Sequence, residues 1–124
     1  MPTKIEIIMT ADPSGKELVD FSKDAADRLY KDNLKRTQIR NIFAEAREIE
    51  ALWPVDSKNA MRRLNMLKPK LAYQKKRKKE VTYLADVLTQ AIDYVDEADE
   101  EVKDERFQRF MHLFEAILAY HRGR

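Results

Sequence analysis

The sequence predicts an all-α fold, a compact bundle of five to six helices. Three observations predict it. Apolar residues recur at three- and four-residue steps from position 12 onward, capping residues and prolines fall between those stripes, and a single short run, residues 4–9, reads as a strand. One strand cannot build a sheet alone. The length of 124 residues fits one domain. Residues 1–12 read as an N-terminal extension and residues 13–124 as a single helical-bundle domain. Hydrophobic residues at 44% suffice for one core, and charged residues at 37% surround it with a heavily charged surface.

The elements follow in order. Asp12 before Pro13 marks a helix start, with proline at the first position, where its missing N–H costs nothing. Leu18, Phe21, Ala25, Ala26 and Leu29 form the inward stripe of that first helix, which ends near Asn33. Thr37 is the next N-cap candidate. Ile39, Ile42, Phe43, Ala46, Ile49 and Trp53 follow on one face, and Pro54 ends the helix. Asp56 or Ser57 caps a third helix with Ala60, Met61, Leu64 and Leu67 inward. Pro69 removes a backbone donor and is expected to break or kink the chain. A long helical segment then carries Leu71, Val81, Leu84, Leu88, Ala91, Ile92 and Val95. Acids within 96–105 form a turn and open the last helix, where they favour the positive end of its dipole. Phe107, Phe110, Met111, Phe114, Ile117, Leu118 and Tyr120 are its expected inward face.

Several function classes drop out. Cysteine is absent, which removes disulfides, thiol catalysis and thiolate metal sites and suits a reducing, cytoplasmic setting. The N-terminal apolar run is too short for a signal peptide and contains Glu6, and no stretch approaches the roughly 20 apolar residues of a membrane span. With glycine only at 15 and 123, no glycine loop can cradle a phosphate. His112 and His121 stand nine residues apart on one helix, about half a turn from a shared face at roughly 100° per residue. A metal pair needs four-residue spacing. The acids at 93–105 lack the Asp/Asn–Gly pattern of a calcium loop and read as a solvated turn. No catalytic residue, metal site or cofactor is therefore expected.

Charge carries the functional signal. Residues 31–79 hold 15 Lys/Arg against 5 Asp/Glu, whereas residues 80–105 hold 1 Lys against 10 acids. The net charge of +2 hides that division. Such a basic block points to an anionic partner, or to self-association of opposite patches. Arg36, Arg40 and Arg47 lie off the apolar stripe of the second helix. Lys58 and Arg62 are one turn apart on the third, with Arg63 beside them. Lys68, Lys70, Lys75, Lys76, Arg77, Lys78 and Lys79 follow. Cations so spaced can pair with successive phosphates and release counterions, and Tyr73 among them can stack on a base. A merely solubilising face is the plainer alternative.

Three segments go further. They are Thr37-Gln38-Ile39-Arg40, then Leu67-Lys68-Pro69-Lys70-Leu71-Ala72-Tyr73-Gln74 closed by Arg77, then the run from Arg109 through Phe110, Met111, His112, Leu113 and Phe114 to Tyr120 and His121. In order and spacing they resemble the small subunit of the type III-A CRISPR (Csm) effector complex, across about residues 13–122. The resemblance implies a helical bundle stacked in several copies as an inner filament beside the crRNA-binding backbone subunits. It implies contacts mainly with the target RNA backbone along the guide–target duplex, in antiviral defence. Nuclease activity belongs to the backbone and large subunits. By the matching motif positions, Arg40, Lys68, Lys70 and Arg77 are implied to face or support RNA, and His121 and Arg122 follow the last motif. Lys75 and Lys76 stand where smaller, less charged residues are expected.

The expected RNA-binding set is thus Arg40, Arg47, Lys58, Arg62, Lys68, Lys70, Arg77, His121 and Arg122. The expected partners are target RNA and crRNA, the backbone and large subunits, and other copies of this chain as filament neighbours or a dimer, with no membrane. Two other functions compete: a purely structural helical adaptor without nucleic-acid contact, and a small metal-dependent nuclease. Alanine changes at the basic residues separate the first two by whether RNA affinity or assembly is lost.

Overall fold

The computed structural model describes residues 1–123. Among them the chain forms six α-helices and one 3-10 turn: α1 (Lys4–Thr10), α2 (Lys16–Lys31), α3 (Arg36–Leu52), α4 (Ser57–Arg77), the turn Lys79–Val81, α5 (Thr82–Asp96) and α6 (Glu100–Tyr120). The bundle is all-α, as the periodicity predicts.

The first correction concerns residues 4–9, which are helix rather than strand. Ile5, Ile8 and Met9 recur at helical spacing and are buried, while the Thr3 hydroxyl accepts from the Glu6 N–H at 3.1 Å. With no partner strand among the described residues, the β preference of isoleucine has no ladder to join. Residues 1–12, read above as an extension, therefore contribute side chains to the common core. Arg109 Nη1 donates to the Ile8 carbonyl at 3.0 Å, and Tyr94 OH donates to Glu6 at 3.1 Å, tying α1 to α6 and α5.

Asp12 does act at the start of α2, but from further away than expected. Its Oδ1 accepts from Glu17 N–H at 3.1 Å and its Oδ2 from Leu18 N–H at 2.9 Å, across a turn containing Gly15 at φ 78°. That positive φ suits glycine, which has no Cβ to clash. At the other end Asn33 adopts φ 68° and Leu34 tucks fully into the core. This brings the start of α3 forward. Lys35, not Thr37, takes the N-cap position, and its N–H donates to the Gln38 side chain at 2.9 Å. Asp56 caps α4 as expected, accepting from Asn59 N–H at 3.1 Å.

Pro69 neither breaks nor ends the chain's helix there: α4 runs through it without interruption. The ring points outward at an exposed position, while Ala60, Leu64, Leu67 and Leu71 keep one buried stripe. Burying three leucines, each worth about 1.5–3 kcal/mol, outweighs the roughly 3 kcal/mol cost of an internal proline. The real boundary is Lys78, whose backbone is extended at φ −136° and ψ 104°. No apolar side chain in 72–79 is buried, so nothing holds a longer α4 to the core.

α5 lies at the centre, packing against α1, α4 and α6, with seven buried residues from Leu84 to Val95. α6 supplies the aromatic core. Phe110 and Phe114 are fully buried, Phe43 of α3 meets Phe114 edge-on at 5.0 Å, and Trp53 stacks on Phe107 at 4.1 Å. Leu113 joins that core, whereas Tyr120, expected inward, is 42% exposed beyond its last buried turn.

Candidate nucleic-acid interface

The charges sort themselves by the faces of α4. Its core stripe faces α5 and α3, so residues roughly opposite project outward. Lys58, Arg62, Pro69, Tyr73 and Lys76 fall within about 60° of arc at roughly 100° per residue, and all five are exposed. Lys58, Arg62 and Lys76 make no salt bridge with any described residue, so this outward line holds cations without carboxylate partners. Lys78 and Lys79 continue the positive charge past the C-terminus of α4, where the dipole itself favours cations.

The flanks differ. Lys68 Nζ meets Asp93 at 2.7 Å and Lys75 meets Asp86 at 2.9 Å, while Asn65 donates to Asp96 at 2.9 Å. Those three pairs, with rising numbers on α4 matched to falling numbers on α5, make the two helices antiparallel. On the α3 side Arg63 meets Glu48 at 3.4 Å and Lys70 meets Glu45 at 3.2 Å. Part of the charge division in the sequence is thus resolved inside the fold, acids of α5 facing lysines of α4. Such surface pairs contribute only about 0–1 kcal/mol each, so a polyanion can compete for these cations.

The expected site residues therefore do not form one cluster. Lys58 and Arg62 sit on the outward line with Lys76. Arg77 stands at its edge, its Nη1 3.4 Å from Tyr73 OH and its guanidinium 5.6 Å from the ring centroid. Lys68 and Lys70 occupy opposite flanks, each already paired. Arg40 and Arg47 are exposed on α3, about 80° or more around its axis from Glu48 and Glu45, which reach toward α4. Arg47 pairs with Glu50 at 2.9 Å, and Arg40 makes no salt bridge with any described residue. Arg122 lies against α2, 3.1 Å from Asp27 and 4.0 Å from the Tyr30 ring centroid.

His121 has to be withdrawn from the surface set. It is 1% exposed, its Nδ1 accepts from the Gly123 N–H at 3.2 Å, and Tyr30 packs edge-on to it at 6.4 Å. Arg36 Nη2 donates to the His121 carbonyl at 2.8 Å and holds the chain end down. Burial, first, and the neighbouring Arg36 charge pull the imidazole below its ordinary range, although the Leu34 backbone opposes them. An imidazole so enclosed meets no phosphate. His112, by contrast, is exposed on α6, so the two histidines are as far from sharing a site as their spacing implies.

The sequence reading counted Lys76 among the phosphate-tracking cations but left it out of the expected RNA-binding set, although the structure puts it on the exposed line. The signal was present: 58, 62, 69, 73 and 76 share one helical face, provided the helix is carried through Pro69. Among the described residues no three His, Asp or Glu side chains gather as a metal site, and no helix is long and apolar enough to cross a membrane.

The structure defines a class: a small helical bundle with a packed aromatic core and an exposed line of cations that make no salt bridge with any described residue. The family relationship makes it particular. Residues 12–124 match the Csm2 Type III-A family, and the chain belongs to that family of small structural subunits of the type III-A CRISPR complex. No curated protein and no solved structure matches the chain.

Proposed function

We propose that this subunit is a non-catalytic RNA-path component of the type III-A ribonucleoprotein, and that it holds the backbone of the target RNA paired to crRNA. The observation that carries the reading is the outward line of α4, where Lys58, Arg62 and Lys76 face solvent without acidic partners. A phosphate chain laid along that line releases a counterion for each pairing. Lys68, Lys70 and Arg77 on the flanks can turn to the same strand once the polyanion displaces their weak intramolecular contacts. In this reading Arg40, Arg47 and Arg122 belong to a different face. They are available to a second stretch of RNA or to a neighbouring subunit.

The proposal extends to assembly. Several copies line the duplex as an inner filament, beside the backbone subunits and the large subunit, in the cytoplasm of a prokaryote and in defence against foreign nucleic acid. Cleavage is left to the other subunits. Isolation of the natively expressed chain, followed by RNA sequencing and mass spectrometry, tests the proposal: crRNA, target RNA and the other complex subunits should co-purify. Recovery of the protein subunits with an RNA-free chain surface, unaffected by alanine at Lys58, Arg62 and Lys76, would favour the adaptor function instead.

A further inference from the structure

Beside the cationic line, α3 and α4 enclose an open groove of about 460 Å³ that phosphate contacts leave unused. Its floor is apolar, built from Ile42, Leu67, Leu71 and Val81. Met66 and Tyr73 form its outer wall, and they are 54% and 57% exposed. Two large side chains so exposed, both lining one apolar floor, suit a binding surface better than scattered surface residues. The volume lies within the range of roughly 300–1,000 Å³ typical of small-ligand sites.

We propose that this groove is a nucleobase pocket, in which one unpaired base of the bound RNA stacks on Tyr73 while its flanking phosphates follow Lys76 and Arg77. The inference rests on the RNA-binding function proposed above and adds a base-holding site to it. Three features favour a base over an apolar protein side chain. The ring of Tyr73 lies on the same outward face as Lys58, Arg62 and Lys76, so a strand tracking those cations passes its edge. Lys70 lines the groove and Arg77 lies against its Tyr73 wall, while the one acid in its lining, Glu45, is already paired with Lys70 at 3.2 Å. Its lip carries Asn41 and Gln74, two exposed amides that can donate to and accept from the edge of a base. Gln38 is not free for that role, because its amide donates to Glu80 at 3.1 Å and its oxygen accepts from Lys35 N–H at 2.9 Å. Arg77 lies beside the platform, its guanidinium 5.6 Å from the Tyr73 ring centroid, a contact that does not need the hydroxyl.

Stacking of a base on an aromatic side chain is worth a change in affinity of about 5- to 140-fold. The test uses the full chain and the reconstituted complex with two probes of equal charge: a single-stranded oligouridylate, and the same oligomer with abasic positions. Wild type and Tyr73→Phe should bind the oligouridylate alike and prefer it to the abasic oligomer. Tyr73→Ala should lose affinity by about that factor and lose the preference, with an unchanged slope against salt. A 2-aminopurine placed in the oligomer should be quenched by wild type and Tyr73→Phe but not by Tyr73→Ala. If Tyr73→Ala binds both probes as wild type does, while alanine at Lys58, Arg62 and Lys76 still weakens binding, the base pocket is wrong and the RNA reading stands. If neither wild type nor any variant binds either probe in either setting, the base pocket is wrong, and the RNA reading falls with it only if alanine at Lys58, Arg62 and Lys76 also leaves binding of guide-complementary target RNA unchanged. If Tyr73→Ala keeps RNA affinity but fails to enter the complex, the groove receives a protein segment and the proposal is overturned.

Discussion

Replacing Phe114 by alanine should unfold this protein well below its normal melting temperature. The ring is fully buried, meets Phe43 edge-on with centroids 5.0 Å apart, and lies 6.3 Å from Phe110 at 73°. Truncating a buried phenylalanine costs about 3–5 kcal/mol. The edge-to-face contacts, each worth roughly 0.5–1.5 kcal/mol beyond area burial, place this site toward the upper end. Domains of this size are stable by on the order of 6–19 kcal/mol, so one truncation removes a large share. At about 3–5 °C per kcal/mol for this length, the melting temperature should fall by roughly 12–25 °C. Thermal circular dichroism measures it directly, with urea unfolding as a check that the slope stays constant. His112→Ala, two residues earlier on an exposed face of the same helix, should change stability by no more than about 0.5 kcal/mol. A shift below about 3 °C for Phe114→Ala would refute the burial of this face. It would make the aromatic stripe of α6 a surface for a partner.

Two further outcomes follow from the structure. Asp12→Ala should destabilise by about 1–2 kcal/mol, because both carboxylate oxygens accept from the first N–H groups of α2, and Asp12→Asn should fall between the two; equal stability of all three in urea unfolding would sink the capping role. For His121, the unfolded imidazole titrates near 6.5 and the buried one lower, so between those values the unfolded chain holds the extra proton. Wild type should therefore lose stability as pH falls from 6.5 through the folded value, and keep its full contribution above 6.5. His121→Phe, which cannot titrate, should show a flatter profile, and superimposable melting curves for the two from pH 7 to 5 would contradict the burial of a neutral imidazole.

The fold was largely legible because helices announce themselves locally. Asp56, Pro54 and the stripes of α3, α5 and α6 act within a few residues of where they stand. The misreading at residues 4–9 and the break expected as one outcome at Pro69 share one cause. In both, local preference pointed one way and burial decided the other: Ile5, Ile8 and Met9 had a core to enter, and Leu64, Leu67 and Leu71 kept α4 whole across the proline. The candidate site was legible only in part. Lys58 and Arg62 were readable from their spacing, and Lys76 was read as a cation of the same run, but its place on their face needed α4 carried through Pro69. The neutralisation of Lys68 and Lys75 was not, since Asp93 and Asp86 reach them only through the antiparallel packing of α4 on α5. Nor could sequence spacing show that His121, just past the end of α6, turns inward under Tyr30 and Arg36.

The most direct test of an RNA-holding line on α4 is the salt dependence of target-RNA binding by the reconstituted complex, with alanine at Lys58, Arg62 and Lys76. Each lost phosphate pairing should reduce the slope of log affinity against log salt by about 0.7 on a single strand, so the triple variant should flatten it by about two units per incorporated copy. Affinity should drop alike for unrelated target sequences, because phosphate contacts carry no base information. A variant that folds, enters the complex and keeps both the wild-type slope and affinity would contradict this account, and would assign the outward face of α4 to solvent or to a neighbouring subunit.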